Sequence, residues 1–275
     1  MAGRRLDVEL ASRGLVPSRE QARAAILAGR VSVDGTVVTK AGASVSPEAA
    51  IEVVGGPQYV SRGGLKLAGA LDTFGIDPAG ARALDVGAST GGFTDCLLQR
   101  GVESVTAVDV GYGQLAWSLR NDERVRVLER TNIRTADPEL IGGPFDLAVI
   151  DVSFVGLVKV LPAVDPFVDV DGSVVALVKP QFEAGKGRVG KKGVVRDPAV
   201  HVDVLEAVVR AAEGEGWVIR RLGWSPITGP EGNIEFWVWM SRAGEAGLDD
   251  PVSIVAAAHA ALGGSCARST GSEPG

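Results

Sequence analysis

From residue 63 onward the sequence alternates short apolar runs with helix-like segments, and this alternation limits the chain to few folds. Alternating strands and helices are typical of right-handed crossovers that build a mostly parallel sheet. The predicted strands are residues 82–87, 103–110, 125–130, 145–151, 173–179, 217–223 and 235–241. The predicted helices are residues 64–74, 91–100, 113–120, 156–163, 198–214 and 252–262. A loop joins the last two strands, so we expect them to form an antiparallel pair at one side of an α/β sheet.

The first 57 residues have a different pattern, which predicts a small separate α/β domain. Residues 6–14 and 18–28 have helix character. Asp34-Gly35 joins two alternating runs, which is a strong signal for a β-hairpin. Residues 51–54 predict a further strand, after which Gly55-Gly-Pro57 breaks the pattern.

The two predicted domains differ in charge. Residues 58–63 form the expected linker, residues 64–262 the sheet domain, and residues 263–275 a tail that we expect to be disordered. Residues 1–62 hold eight Lys/Arg and six Asp/Glu, whereas the rest of the chain holds 20 and 28. The net charge of −6 therefore does not indicate a nucleic-acid partner, which must be argued from local patches.

Several classes of protein are disfavoured by the sequence. No apolar run reaches about 18 residues, so no membrane span is expected, and the start lacks an apolar signal core. We therefore expect a cytoplasmic protein. The two cysteines and two histidines lack the spacing of disulfide frameworks and zinc sites, so no metal site is predicted. Nothing in the sequence implies a protein partner.

A Gly-rich element at residues 84–92 is the candidate cofactor site. It follows a predicted strand and opens a predicted helix, where backbone N–H groups can approach a ligand closely. Asp109 ends the next strand, and its carboxylate can accept from ribose hydroxyls. The candidate cofactor-binding residues are Asp85, Gly87, Ala88, Ser89, Thr90, Gly91, Asp109 and Asn132. The spacing fits NAD as well as S-adenosylmethionine.

Four charged residues stand at the ends of predicted strands or on a helix face: Lys66, Asp151, Lys179 and Glu235. Charges at such positions are costly in a core and useful in a ligand site. We predict that these four residues are catalytic. The alternative is a buried network of ion pairs without chemistry.

Basic residues suggest where RNA would bind. Arg19 and Arg23 are four residues apart and share a helix face, and a loop at residues 186–196 holds several cations. The candidate RNA-binding residues are Arg4, Arg5, Arg19, Arg23, Lys40, Arg62, Lys191 and Lys192. An ordinary solvated surface is the alternative explanation.

The N-terminal segment resembles the small RNA-binding domain named after a ribosomal small-subunit protein. The matching residues are Arg5-Leu-Asp7, Ser18-Arg-Glu-Gln-Ala22, Ile26 and Gly29-Arg-Val-Ser-Val-Asp-Gly35. This resemblance covers nearly the whole segment. It implies contact with structured RNA through shape and phosphates rather than through base sequence.

The whole chain resembles the TlyA, or hemolysin A, family of ribosomal RNA 2′-O-methyltransferases. The motifs that carry this resemblance are Ser61-Arg-Gly-Gly-Leu-Lys66, Leu84–Asp95, Asp151-Val-Ser-Phe154, Leu177-Val-Lys-Pro-Gln-Phe182, Gly187–Asp197 and Gly232-Asn-Ile-Glu-Phe236. The larger domain is similar to the FtsJ methyltransferases, which carry a Lys-Asp-Lys-Glu tetrad. Lys66, Asp151, Lys179 and Glu235 stand at its four positions.

The resemblance implies a Rossmann-like fold, S-adenosyl-L-methionine as methyl donor, and a cytidine ribose in ribosomal RNA of the small or large subunit, or both, as target. Lys179 would orient the 2′-hydroxyl, stabilise its developing negative charge or accept its proton. Asp151 and Glu235 would hold the ammonium group of Lys179, and Lys66 would steer the RNA or stabilise the second carboxylate. Phe154 would pack near the cofactor or the target base, and an ordinary core phenylalanine is the alternative. One alternative, an NAD-dependent oxidoreductase, leaves the tetrad and the N-terminal segment unexplained. A second, a membrane-acting hemolysin, is disfavoured because no spanning or strongly amphipathic segment is expected. A third, a non-catalytic ribosome-binding factor, is disfavoured by the intact tetrad.

Overall fold

A computed structural model of the protein describes residues 3–27, 29–55, 58–185 and 187–262, so the tail predicted at residues 263–275 lies outside the described residues. The same holds for the side chain of Lys191. The chain forms two compact units, Met1–Gln58 and Tyr59–Gly275. Each unit has its own hydrophobic core.

The first unit packs two helices against short strands. Its elements are β1 (Arg4–Arg5), α1 (Leu6–Ser12), α2 (Arg19–Leu27), β2 (Val31–Val33), β3 (Thr36–Val37), β4 (Ser44–Val45) and β5 (Ile51–Val53). Ser18 caps α2, since its hydroxyl accepts from Gln21 N at 3.2 Å. Asp34 and Gly35 both have positive φ and form the hairpin turn between β2 and β3. The predicted hairpin is therefore confirmed.

The second unit is built on one seven-stranded sheet. Its strands are β6 (Arg82–Val86), β7 (Ser104–Val108), β8 (Val125–Leu128), β9 (Phe145–Ile150), β10 (Val168–Val178), β11 (Val218–Trp224) and β12 (Phe236–Ser241). Their spatial order is β11-β12-β10-β9-β6-β7-β8. The five strands from β10 to β8 run parallel, and β12 is antiparallel to both β10 and β11. The expected parallel sheet and its antiparallel pair are confirmed.

Helices cover both faces of this sheet. They are α3 (Arg62–Phe74), α4 (Gly92–Gln99), α5 (Trp117–Arg120), α6 (Pro138–Ile141), α7 (Leu161–Val164), α8 (Pro180–Glu183), α9 (Pro198–Gly214) and α10 (Pro251–Leu262). Alternate strand residues bury into different cores: Leu147 and Val149 face one core, and Ala148 and Ile150 face the other. Period-two burial on both faces is what a sheet between two helical layers requires.

Three predicted helices of the second unit differ from the structure. The helix predicted at 113–120 is only the single turn Trp117–Arg120, and the helix predicted at 156–163 is a 3₁₀ turn followed by Leu161–Val164. Helix α3 begins at Arg62 rather than at residue 64, because the Ser61 hydroxyl accepts from Gly63 N and caps it. Arg62 therefore belongs to the helix rather than to the predicted linker.

The arrangement of the strands predicts where a ligand binds. The chain moves from β6 to β7 and β8 on one side, and then returns to β9 on the other side of β6. A crevice opens at such a reversal, beyond the carboxyl ends of the central strands. The residues after β6, β9 and β10 include the Gly-rich turn, Asp151 and Lys179.

Candidate active site

The Gly-rich turn after β6 lies against the loop after β9. Gly87 has a φ of +89°, and a Cβ at this position would lie 2.5 Å from the carbonyl oxygen of Asp151. A larger residue would therefore meet both backbone strain and a steric clash. Gly87 N donates to Val108 O at 2.8 Å, and Asp151 N donates to Val86 O at 2.9 Å. The first bond fastens the Gly-rich turn to β7, and the second fastens the loop after β9 to β6.

Asp109 fixes the turn that follows β7. Its Oδ2 accepts from Ser89 N at 2.8 Å, and its Oδ1 accepts from Gly111 N at 2.6 Å. Ser89 has a left-handed backbone, and its hydroxyl donates to the side chain of Gln114 at 3.3 Å. Each carboxylate oxygen of Asp109 keeps a further lone pair for a ligand.

Two cavities of about 370 and 420 Å³ adjoin at this edge and share Gly87, Ser89 and Asp151. The first extends toward the beginning of α3, and the second extends between the loops after β7, β8 and β9. Cavities of this size are typical of small-molecule sites. Of the other predicted cofactor residues, the first cavity is lined by Ala88 and Thr90 and the second by Asp109 and Asn132.

Two predicted cofactor residues lie apart from these cavities. Asp85 is fully buried in β6, and its Oδ2 accepts from the Thr94 hydroxyl at 2.7 Å. Burial raises the pKa of the Asp85 carboxyl to about 7, although the bond from Thr94 acts in the opposite direction. Gly91 is buried beneath Leu119. Asp85 and Gly91 therefore shape the turn from below and line neither cavity.

Lys179 lies where β10 ends, beside the loop after β9. Its Nζ is 2.6 Å from Asp151 Oδ1 and donates to Ser153 Oγ at 2.8 Å. Lys179 is buried, whereas Asp151 is partly exposed and lines both cavities. An ammonium group has three N–H donors. At least one of them remains for a ligand beside the ion pair with Asp151 and the bond to Ser153. The sequence analysis did not assign Ser153, although it quoted the motif that contains it.

The other two charged residues form a second pair. Lys66 Nζ on α3 is 2.5 Å from Glu235 Oε2, and both side chains are buried. The prediction that Glu235 holds Lys179 is therefore corrected, because the partner of Glu235 is Lys66. Lys66 and Glu235 are 169 positions apart in the chain, so sequence spacing alone does not show their contact. Lys66 lines the first cavity together with Arg62.

Asn233 connects the basic loop to this site. Its Oδ1 accepts from Val195 N at 2.9 Å, and its Nδ2 donates to Gly193 O at 3.0 Å. Asn233 is buried two residues before Glu235 and was not predicted as a site residue. The carboxyl end of the basic loop is therefore fastened, and Lys192 within it is exposed.

Phe154 is the most exposed aromatic side chain near the site. It is 92% exposed and has a φ of +66°, which is unusual for a residue with a Cβ. Its ring centroid lies 5.1 Å from that of Phe182. Phe154 lines the second cavity and also borders a more open depression of about 530 Å³ with Gln181 and Phe182.

The predicted RNA-binding residues of the first unit form a charged surface. Arg4, Arg5, Arg19, Arg23 and Lys40 are all exposed. The guanidinium groups of Arg5, Arg19 and Arg23 all contact the buried carboxylate of Asp7. In the second unit, Arg62 is exposed and donates to Thr228 O at 2.6 Å.

Clustered metal ligands and membrane-spanning helices are both absent from the described residues. Within the described ranges, no group of three or more His, Cys, Asp or Glu side chains is placed to hold a metal ion. In that same part of the chain, no helix combines the length and the apolar character that crossing a bilayer requires.

Comparison with protein families gives two matches. Residues 59–242 match the FtsJ-like methyltransferase family, and residues 4–51 match the S4 domain. The two matched ranges fall within the two compact units. The FtsJ-like match contains all four members of the charged tetrad.

Individual relatives match over nearly the whole chain. A Mycobacterium tuberculosis protein named 16S/23S rRNA (cytidine-2′-O)-methyltransferase TlyA is 52% identical, over 90% of this chain and 95% of its own length. A Brachyspira hyodysenteriae protein named hemolysin A is 40% identical, over 84% and 97%. A solved structure from Streptococcus thermophilus with a provisional hemolysin name has a TM-score of 0.74 and 42% identity, over 96% and 98%.

Proposed function

Because the chain belongs to the TlyA family of FtsJ-like methyltransferases, we propose that it methylates the 2′-hydroxyl of a cytidine in ribosomal RNA, with S-adenosylmethionine as the methyl donor. The name of the Mycobacterium tuberculosis relative supports the choice of cytidine and of ribosomal RNA. The S4 match supports an RNA partner. Such a substrate would place the enzyme in the cytoplasm.

The observation that carries this proposal is the ion pair between Lys179 and the carboxylate of Asp151 where the two cavities meet. Asp151 lines both of them. A cofactor that filled the second cavity and reached into the first would bring its reactive end past this carboxylate. An ammonium group beside a reacting hydroxyl is what methyl transfer to an oxygen atom requires.

The residues present fit S-adenosylmethionine. Asp109 has carboxylate lone pairs left for the two ribose hydroxyls, and Ile133 and Val152 offer an apolar surface for the adenine in the same cavity. Gly87 leaves the space where the two cavities meet, since a Cβ there would lie 2.5 Å from Asp151 O. When bound, S-adenosylmethionine supplies a methyl group activated by its sulfonium charge.

The side chains of the tetrad have separate tasks in this proposal. Lys179 donates an N–H to the 2′-oxygen, which orients the oxygen in line with the methyl group and stabilises the negative charge that develops as the hydroxyl loses its proton to solvent. The bond from this oxygen to the methyl carbon would form as the bond from that carbon to sulfur breaks. Lys179 is ion-paired with Asp151 and donates to Ser153, which favours orientation and charge stabilisation over proton acceptance by the lysine. Lys66 lines the first cavity and stabilises the buried carboxylate of Glu235.

The aromatic pair provides a surface for the target base. Phe154 is exposed at the rim of the second cavity, and Phe182 follows Lys179 by three residues. A base taken out of its stack gains roughly 1–3 kcal/mol by stacking on such a ring. We assign this stacking role to Phe154. The role accounts for the unusual backbone conformation of this residue.

A direct test is to incubate the protein with labelled S-adenosylmethionine and unmodified small or large bacterial ribosomal subunits. Mass spectrometry of the digested RNA should find 2′-O-methylcytidine at a defined position in one or both subunits. Lys159→Met serves as the control for substitution of Lys179 by Met, since Lys159 is an exposed lysine on the 3₁₀ turn after β9. Methylation of a base, of another nucleotide or of no RNA would contradict the proposal.

A further inference from the structure

The carboxylate of Asp7 collects three arginines in the N-terminal unit. Its Oδ1 accepts from Arg5 Nε at 3.0 Å, and its Oδ2 accepts from Arg5 Nη2 at 3.1 Å. The same Oδ2 accepts from Arg19 Nε at 3.0 Å and from Arg23 Nε at 3.1 Å. The side chain of Asp7 has no exposed surface, whereas the three arginine side chains are 50–52% exposed. One buried anion therefore anchors three half-exposed cations.

Arg19 and Arg23 are held in a way that leaves their outer nitrogens available. Both use only Nε for Asp7, and neither Nη group donates to another atom in the described part of the chain. Each guanidinium keeps four outward N–H donors. Since α2 places them four residues apart on one face, the two forks lie side by side.

Arg13 in the same unit shows the opposite arrangement. Its Nε donates to Glu9 at 2.8 Å, its Nη1 to Ala49 O at 2.7 Å and its Nη2 to Pro47 O at 2.6 Å. All three nitrogens are used inside the protein, so Arg13 stabilises the fold. Asp7 holds Arg19 and Arg23 in place, but the N–H donors of their Nη groups stay available, which points to a ligand outside the protein.

The charges of the cluster do not balance. Three guanidinium groups face one carboxylate, so the cluster has a net positive charge that is distributed over exposed N–H donors. Guanidinium forks match phosphate oxygens in pairs, and they lose less freedom on binding when they are held in place beforehand. The bond from Arg5, assisted by Arg23 and Arg19, holds the pKa of Asp7 far below its usual range, so the anchor stays charged at any working pH.

We propose that Asp7 is the positioning residue of an RNA-phosphate site, which fixes Arg5, Arg19 and Arg23 in the geometry that binds adjacent backbone phosphates. This inference rests on the proposed function, because the phosphates are those of ribosomal RNA. Asp7 itself touches no RNA. It keeps three like charges close together that would otherwise separate and become mobile.

The proposal predicts a result opposite to simple charge counting. Asp7→Asn adds one unit of net positive charge to the unit, which by itself would strengthen RNA binding and steepen its salt dependence. If Asp7 positions the arginines, the variant instead binds ribosomal subunits about tenfold more weakly, with a shallower salt slope. Glu52→Gln is the matched control, since it makes the same change in charge on an exposed residue of β5.

A second variant avoids the risk that Asp7→Asn fails to fold. Arg19→Lys with Arg23→Lys keeps both charges on the exposed face but replaces the anchored forks with single ammonium groups. We expect the full-length double variant to bind subunits about tenfold more weakly than wild type at equal salt, while its thermal melt and its S-adenosylmethionine affinity are unchanged.

The experiment is a titration of purified ribosomal subunits with full-length protein at a series of salt concentrations. Wild-type affinity in the double lysine variant, or a folded Asp7→Asn protein that binds as tightly as Glu52→Gln, would overturn the positioning role. Arg19→Glu with Arg23→Glu tests the underlying docking role separately. If charge reversal leaves binding intact, the proposed RNA contact of this unit is wrong. If it abolishes binding while the lysine variant and Asp7→Asn do not weaken it, only the positioning role is wrong.

Discussion

The ammonium group of Lys179 has two partners whose removal should have different effects. Asp151 carries the compensating charge, and Ser153 sets the direction of the group by accepting a hydrogen bond at its neutral hydroxyl. A hydrogen bond between a charged and a neutral group contributes about 1.5–3 kcal/mol, whereas a buried charge left without its partner costs about 3–5 kcal/mol. The order of severity at this site should therefore be Lys179, then Asp151, then Ser153.

The first prediction concerns Lys179→Met, which keeps the length of the side chain and removes its charge. Methylation should fall by at least about 10²-fold, because no donor remains for the reacting oxygen. Affinity for S-adenosylmethionine should change little. Single-turnover methylation of ribosomal subunits and calorimetric titration of the cofactor measure the two effects. A near-normal single-turnover rate would remove Lys179 from the chemistry.

The tetrad should also show non-additive effects. Asp151→Asn alone slows methylation, but adding it to Lys179→Met should cost little more, because the two residues act as one unit. The same rate assay on the double variant measures this coupling. Independent, multiplying losses would show that Asp151 has a task unrelated to Lys179.

The third prediction concerns Asp109→Asn. The substitution removes a charged acceptor and places an amide NH₂ against the N–H of Ser89 or Gly111, both of which now donate to the carboxylate. Affinity for S-adenosylmethionine should fall by about 1.5–3 kcal/mol, the value of a charge-assisted hydrogen bond. Calorimetry provides the measurement, with the exposed Glu123→Gln as control. Unchanged affinity would exclude Asp109 from the cofactor site.

At this scale the sequence located positions better than partners. Lys66, Asp151 and Lys179 could be predicted because charges at strand ends and on an apolar helix face are rare without a ligand. The pairing of Lys66 with Glu235 could not be predicted, because the contact joins residues 169 positions apart in the chain. Asn233 was missed for a similar reason: its role depends on the backbone of a loop about 40 residues earlier.

Among the elements, the packing of α9 against α10 contains a pair of histidines. His201 Nδ1 on α9 and His259 Nε2 on α10 are 2.9 Å apart, and His201 has no exposed surface. Burial, and secondarily the charge of His259, lowers the pKa of His201 to about 4, although Asp197 at the start of α9 acts in the opposite direction. Neutral His201 is therefore the form that the packed helices accept.

The fourth prediction follows from this lowered pKa. The unfolded chain takes up a proton at His201 near pH 6.5, but the folded protein does so only near pH 4, so this residue costs stability as the pH falls through that window. The full cost is about 3 kcal/mol, at 1.36 kcal/mol per pKa unit. His201→Gln should lose less stability than wild type between pH 6.5 and 4. Denaturant unfolding at several pH values measures the difference.

The stability of His201→Gln must be compared with that of wild type at each pH, because Asp85 changes stability with pH in the direction opposite to His201. Its raised pKa of about 7 means that the folded protein holds this proton more tightly than the unfolded chain does, so Asp85 adds stability as the pH falls from about 7 to 4. The contribution of Asp85 is present in both proteins and cancels in their difference. Identical pH profiles of the two proteins would contradict the role assigned to His201.

The elements also show where sequence patterns fail. Long periodic segments such as α9, predicted at 198–214, were found with the same bounds. The helices predicted at 113–120 and 156–163 are shorter in the structure. Helical hydrogen bonding is interrupted there by Gly113, Gly156 and Pro162. A hydrophobic pattern alone does not reveal such interruptions. Strand β10 begins at Val168, five residues earlier than predicted, through an irregular register against β9.

For the whole molecule, the fifth prediction divides the work between the two units. The chain from residue 63 carries 20 Lys/Arg and 28 Asp/Glu, so most of its surface repels RNA. Removing residues 1–57 should leave S-adenosylmethionine affinity intact and abolish methylation of ribosomal subunits. Cofactor calorimetry confirms that the fragment is folded, and methyl incorporation measures the loss. Full activity of the fragment on intact subunits would show that the first unit does not dock the substrate.

Phe154 has a consequence for how this protein would evolve. An exposed ring adds nothing to the core, and its left-handed backbone costs roughly 1–2 kcal/mol that glycine would not incur. Two populations of variants, one selected only for survival of heating and the other only for methylation, should therefore diverge at this codon. Heat alone should enrich glycine at position 154, and activity should retain the aromatic ring. Sequencing both populations would show whether selection for methylation keeps an aromatic residue at position 154 although that residue lowers the stability of the fold.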